Sequence, residues 1–288
     1  MQCPKCEYDH ESQTTECLKC GIVFAKYFRL REIEEKVPDP IPVETETADT
    51  TEDRRELKYR VLAIPVALVA AKILVSSAPF LVRLITMLVH ESGHAVTAWL
   101  CGFSAVPGLW FTSVSPDRVP LVSLTLVASV GFGGFQFWRM RRWMWVAAGA
   151  AVFLIQVRCT LLPLHQAHAL VTFGGDAGSL VLGTLLMMTF YASRENVLYR
   201  NSLRWGLLAI GAASFIDVFS SWTAGTSAIV FGEQDGFPTD PSVLVDVHRW
   251  GIPLMIGSYV RLGVFCLMGL AAAYIAGIVS IRKRLVHP

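Results

Sequence analysis

The chain has 288 residues, of which 53% are apolar and 17% charged, with a formal net charge of +2. Soluble domains carry about 25% charged residues, so this composition excludes an ordinary soluble protein, and the near-neutral balance gives no reason to expect a nucleic-acid partner. Apolar content begins near residue 61 and continues to about residue 281. The expected class is an all-α polytopic membrane protein of about six to seven transmembrane helices, with a small N-terminal zinc ribbon.

In chain order, residues 1–36 read as a minimal zinc ribbon followed by a short helix. Cys3, Cys6, Cys17 and Cys20 form two C-x-x-C knuckles separated by ten residues, and Gly21 closes the second. Four thiols at this spacing favour tetrahedral zinc in a reducing compartment over disulfides. So short a segment has no core of its own, so a structural zinc is expected to hold it together, with His10 in excess of a complete shell. The ribbon reads equally as a structural knob and as a docking module for a protein partner. Residues 37–53 contain three prolines, six acidic residues and no basic one, a composition expected to remain a flexible linker. Arg54, Arg55, Lys58 and Arg60 add a basic collar, so 37–60 separates the ribbon from a membrane domain over 61–288. The first 60 residues contain no apolar h-region, so insertion is expected to use an internal span.

Apolar segments follow near 61–79, 81–102, 120–138, 143–163, 169–192, 203–221 and 251–280. Each can cover a hydrocarbon core of about 30 Å. Seven crossings would put the collar and Arg282-Lys283-Arg284 on opposite sides, against the positive-inside rule. One segment is therefore expected to be re-entrant or divided differently. Cys101, Cys159 and Cys266 stand singly in apolar surroundings and read as small packing residues.

The second segment contains His90-Glu91-Ser92-Gly93-His94. On a helix, H-E-x-x-H places two imidazoles one turn apart on one face, where both can bind one zinc, with the glutamate as general base. Three ionisable groups in a membrane helix are costly unless they face a cavity, a partner or a metal. A catalytic zinc usually takes a third protein ligand and keeps one position open. Asp176, in Phe173-Gly174-Gly175-Asp176-Ala177-Gly178, is the expected third ligand, because the glycines would let another helix approach closely. His165 and His168 are rival ligands or residues at the mouth of a cavity. Asp217 is a weaker rival, with Arg158 or Arg261 as a cation to pair with, and Lys72 is expected to snorkel. Residues 109–114 read as an extended edge for strand addition or as an interfacial loop anchored by Trp110.

Residues 81–192 resemble the site-2 protease family of intramembrane zinc metalloproteases. The resemblance rests on H-E-S-G-H in an apolar helix, the glycine-rich Ser129-Val130-Gly131-Phe132-Gly133-Gly134, and an aspartate in a later span. It implies that His90, His94 and Asp176 bind a catalytic zinc and that Glu91 activates water. The family's usual Leu-Asp-Gly is replaced here by Gly175-Asp176-Ala177. On this reading the chain cleaves a membrane-embedded protein or peptide, sits in a lipid bilayer of bacterial inner-membrane type, and keeps its ribbon in the cytoplasm. An inactive scaffold of the same fold and an ion-coupled transporter are the alternatives. Nothing in the sequence names residues that bind substrate.

Overall fold

The computed structural model describes residues 2–10, 14–29, 45–234 and 236–286. The chain divides into two units, Met1–Asp53 and Arg54–His287, and the division falls inside the segment read as linker and collar.

In the first unit, each knuckle turns on a left-handed residue directly after its second cysteine: Glu7 at φ 55° and Gly21 at φ 68°. Both turns close in the same way, Cys3 N–H to Tyr8 O at 2.9 Å and Cys17 N–H to Ile22 O at 2.8 Å. Residues 24–29 are helical. Phe24 is buried against Cys3 and Cys17, a core too small to hold the module without help.

The expected linker is only partly within the described residues, since 37–44 lie outside them. Residues 45–53 are not an open linker: they begin a 33-residue helix, α1 (Thr45–Ser77). The physical reason lies in the sequence. Acidic side chains suit the positive end of a helix, and extending an established helix costs little compared with starting one.

The second unit is built from long helices: the remainder of α1, then α2 (Pro79–Leu100), α3 (Pro120–Arg139), α4 (Trp143–Thr160), α5 (Leu164–Met188), α6 (Leu203–Thr223) and α7 (Ile252–Val286). A hairpin of β1 (Phe103–Pro107) and β2 (Thr112–Arg118) follows α2. Six helices are long and apolar enough to cross a membrane: Thr51–Ser77 within α1, α3, α4, α5 extended to Tyr191, α6, and Ile252–Leu285 within α7. This is a polytopic membrane architecture. The helix outside that set is α2, whose apolar run is interrupted by Arg83, His90, Glu91 and His94.

Helix α5 is the axis of the unit and packs on α2, α6 and α7. Its glycines allow this. A Cβ on Gly178 would collide with Cα of Gly93 on α2, and one on Gly93 would collide with the Gly174 carbonyl. On its opposite side, a Cβ on Gly211 of α6 would lie 2.5 Å from the Gly183 carbonyl. Two helix pairs thus meet backbone to backbone, the close approach that small residues permit in membranes. By contrast, α3 and α4 pack mainly on each other, and α3 buries none of its residues. Nothing lies within 4 Å of a Cβ built on Gly133.

The collar is not uniformly at the surface. Arg60 is buried, with Nε 2.9 Å from Glu56 Oε1 and a guanidinium nitrogen 3.2 Å from the Gly277 carbonyl. Arg204 of α6 meets the same carboxylate through two bonds of 2.7 and 3.0 Å. Tyr199 adds its hydroxyl at 3.1 Å. Glu56 is therefore the acceptor that ties α1 to α6.

Two substitutions check this packing. Gly178→Ala should destabilise the detergent-solubilised protein by about 1–3 kcal/mol, whereas Gly133→Ala should not lower its thermal midpoint at all. Glu56→Leu strands two buried guanidinium groups, and its cost is expected at about 3–5 kcal/mol, read as a fall in the same midpoint.

Candidate metal centre

The interrupted helix α2 presents His90 and His94 one turn apart, towards α5. Their Nε2 atoms lie 3.1 Å from each other. Asp240 Oδ2 is 3.1 Å from His90 Nε2 and 3.0 Å from His94 Nε2. The three atoms form a near-equilateral triangle. Two ligand atoms at about 2.0–2.1 Å from a tetrahedral zinc would stand about 3.3 Å apart, so these donors suit one metal ion closely. Among the described residues, this group and the four ribbon cysteines are the two that could hold a metal.

Both imidazoles are fixed from behind. His94 Nδ1 is 2.8 Å from the Val171 carbonyl, which can only accept, so Nδ1 carries the proton and Nε2 presents a lone pair. His90 Nδ1 is 3.1 Å from Asp176 Oδ1. Asp176, the expected third ligand, thus stands on the Nδ1 side of His90 and is not at the Nε2 triangle. Its other oxygen accepts from Trp222 Nε1 at 2.8 Å. The glycine beside it matters in the expected way: a Cβ on Gly175 would lie 2.5 Å from Nε2 of both histidines.

Asp240 was not anticipated. It opens a short helical turn, Asp240–Ser242, between α6 and α7, with Pro241 in its first turn. Thr-Asp-Pro reads in sequence as a helix start, and nothing in that pattern suggests a metal. The turn is held firmly. The Ser242 hydroxyl accepts from Gly232 N–H at 2.6 Å, and the Thr239 hydroxyl reaches the Val230 carbonyl at 3.0 Å. Leu244 then plugs the core with no exposed surface.

Glu91 is buried, and its Oε2 accepts from the Thr112 hydroxyl at 2.7 Å. Thr112 is the first residue of β2, so the hairpin meets the glutamate directly. The segment read as an edge over 109–114 divides: Leu109, Trp110 and Phe111 form an exposed turn, and the strand begins at Thr112. The hairpin is anchored by Arg118, which donates to the Cys101 and Leu162 carbonyls, and by Trp99 Nε1, 3.0 Å from the Ala105 carbonyl.

The rival residues lie elsewhere. His168 Nε2 is 3.1 Å from the Pro116 carbonyl, with its ring against Phe103. His165 lines a cavity of about 420 Å³ with Gln166, His248 and Trp250. Burial, then the nearby His168 and His165, hold His248 below its ordinary value. Asp217 Oδ2 accepts from Thr86 at 3.0 Å, and Arg261 turns back to the Gly257 carbonyl of its own helix.

In the ribbon, the Sγ atoms of Cys3, Cys6, Cys17 and Cys20 all lie within 4.8 Å of one another. Cys3–Cys20 and Cys6–Cys17 are 3.8 and 3.6 Å apart, close to the spacing of about 3.8 Å expected for four thiolates on zinc. Burial opposes a thiolate at Cys17, but backbone donors at Cys20 and Lys19 outweigh it and bring the thiol down to about 6. The backbone donor at Tyr8 favours a Cys6 thiolate, yet burial and the neighbouring thiols push Cys6 up to about 12. Such a cluster fits a cation that neutralises all four sulfurs.

No protein-family model, no curated protein and no solved structure matches this chain.

Proposed function

We propose that the membrane unit is an intramembrane zinc endopeptidase, organised as in the site-2 protease family but with His90, His94 and Asp240 as its metal ligands. The observation that carries the reading is the triangle of two Nε2 atoms and one carboxylate oxygen, with the buried Glu91 of H-E-x-x-H next in sequence to His90. Asp176, the expected third ligand, becomes the carboxylate that fixes the tautomer of His90. The ribbon cysteines would hold a second, structural zinc.

Bound zinc would supply a water of lowered pKa and polarise the scissile carbonyl. Glu91 takes the proton from the water and returns it to the leaving amine. Thr112 aims the Glu91 carboxylate and couples it to the hairpin. A helical peptide bond is shielded by its own hydrogen bonds, so a transmembrane substrate must unwind locally, and the hairpin offers an edge for the extended segment. Six crossings return the chain to the side on which it entered, which puts the collar and Arg282-Lys283-Arg284 together. The positive-inside rule makes that side the cytoplasm, and the ribbon would lie there in a bacterial-type inner membrane, available to a protein partner.

Asp240→Ala should strip the intramembrane zinc and leave the ribbon zinc in place, while Asp217→Ala and His165→Ala keep both, as read by metal analysis of the purified protein. If Asp240→Ala retains its full metal content, the ligand set is wrong. Glu91→Gln should keep the metal and slow hydrolysis of a reporter transmembrane substrate by about 10² to 10⁴; unchanged cleavage would leave the chain a scaffold or a transporter.

A further inference from the structure

A carboxylate between two donors can rotate, and the two oxygens of Asp176 are divided between His90 Nδ1 at 3.1 Å and Trp222 Nε1 at 2.8 Å. The indole has one donor and no acceptor, so its direction is fixed by where the ring sits. The ring is only 3% exposed and stacks on Tyr259 at 4.1 Å. Tyr259 stacks in turn on Phe173 at 4.3 Å, and its hydroxyl donates to the Phe173 carbonyl at 3.2 Å. Phe173 contacts Trp250 at 5.5 Å. Trp250 N–H closes on the Leu244 carbonyl, just after the turn that carries Asp240. One aromatic column, drawn from α5, α6, α7 and the Asp240 segment, therefore sets the position of a single N–H.

We infer that Trp222 is a positioning residue for the metal centre: its indole N–H holds Asp176 against Nδ1 of His90 and so fixes the imidazole that presents Nε2 to the metal. The inference rests on the ligand set proposed above. With one oxygen tied to the indole, the other accepts the His90 Nδ1 proton, and His90 Nε2 is left as a lone pair facing His94 and Asp240. A carboxylate behind a ligating imidazole raises the ligand's basicity and fixes its orientation. Without the indole, nothing on its far oxygen fixes the Asp176 carboxylate within the broad well of its terminal torsion, and its hold on the His90 imidazole loosens.

The test is Zn²⁺ affinity of the intramembrane site in the full chain in detergent, measured by chelator competition, for a cycle of variants. Trp222→Phe retains a stacking ring and removes the donor, and should weaken Zn²⁺ binding about 10- to 100-fold. Asp176→Ala cuts the same chain without touching the column and should weaken it by a similar factor. In the Asp176→Ala background, Trp222→Phe should have no further effect on affinity, because the two act through one contact. A purely structural tryptophan would give the same loss in both backgrounds, and that result, or an unchanged affinity in Trp222→Phe alone, overturns the inference. His90→Ala and His94→Ala are run beside them. If either retains the intramembrane Zn²⁺, the ligand set itself fails, an outcome separate from the failure of the tryptophan's role.

Discussion

The contact between Gly93 on α2 and Gly174 and Gly178 on α5 is the constraint on which the membrane unit depends. A single methyl group on Gly178 or Gly93 would meet backbone atoms of the other helix. Where two helices come this close, side chains flanking the contact are forced into each other's reach. His90 and His94 flank Gly93, and Gly175 and Asp176 lie between Gly174 and Gly178. The proximity of Asp176 to His90, and of His94 to the Val171 carbonyl, follows from that crossing. Apolar surface cannot drive helix association inside a bilayer, because lipid is as apolar as leucine; close packing and interhelical hydrogen bonds must do so. Polar groups for those bonds are concentrated here.

The same economy governs several other ionisable groups of the unit, which find partners suited to their charge on other helices. Glu56 on α1 receives Arg204 from α6, and the buried Arg60 of its own helix also reaches a carbonyl of α7. Asp217 on α6 receives Thr86 from α2. A charge that cannot reach water is costly without a partner, so these contacts fix helix neighbours as well as neutralising charge. Leaving α3 and α4 at the margin is consistent with this. They offer few polar groups to the interior and make most of their contacts with each other.

The arrangement around His90 separates two duties that carboxylates can perform at a metal. Asp240 comes from a loop turn pinned by Ser242 and Thr239, and it reaches the Nε2 side. Asp176 comes from a regular helix and reaches the Nδ1 side. Helix α5 borders both sides of the imidazole: Asp176 stands at Nδ1, while Gly175 faces the Nε2 atoms and leaves room there for want of a side chain. The carboxylate on that side comes from the connection between α6 and α7.

The sequence by itself determined what depends on local pattern. Composition and apolar run lengths gave a helical membrane unit, since a bilayer admits few other backbones. The heptad-free spacing of His90 and His94 put two imidazoles on one face, because residues four apart are neighbours on any α-helix. Each C-x-x-C pair brings two sulfurs together, because each knuckle is a local turn closed by a left-handed residue at Glu7 or Gly21, while the meeting of the two knuckles through Cys3–Cys20 and Cys6–Cys17 is a tertiary contact. Tertiary structure alone decided the rest. Composition already sets α2 apart, since Arg83, His90, Glu91 and His94 interrupt its apolar run, but only the fold placed that interruption against α5. Residues 45–53 are the exception, a local effect that composition hides: they read as linker, yet their acidic residues suit a helix start and extending α1 into them costs little. Asp176 and Asp240 could not be ranked from sequence, since the distance from His90 to a residue 86 or 150 positions later is fixed only by how the helices cross. Which face of an imidazole a carboxylate meets is a matter of a few ångströms, and no local pattern encodes it.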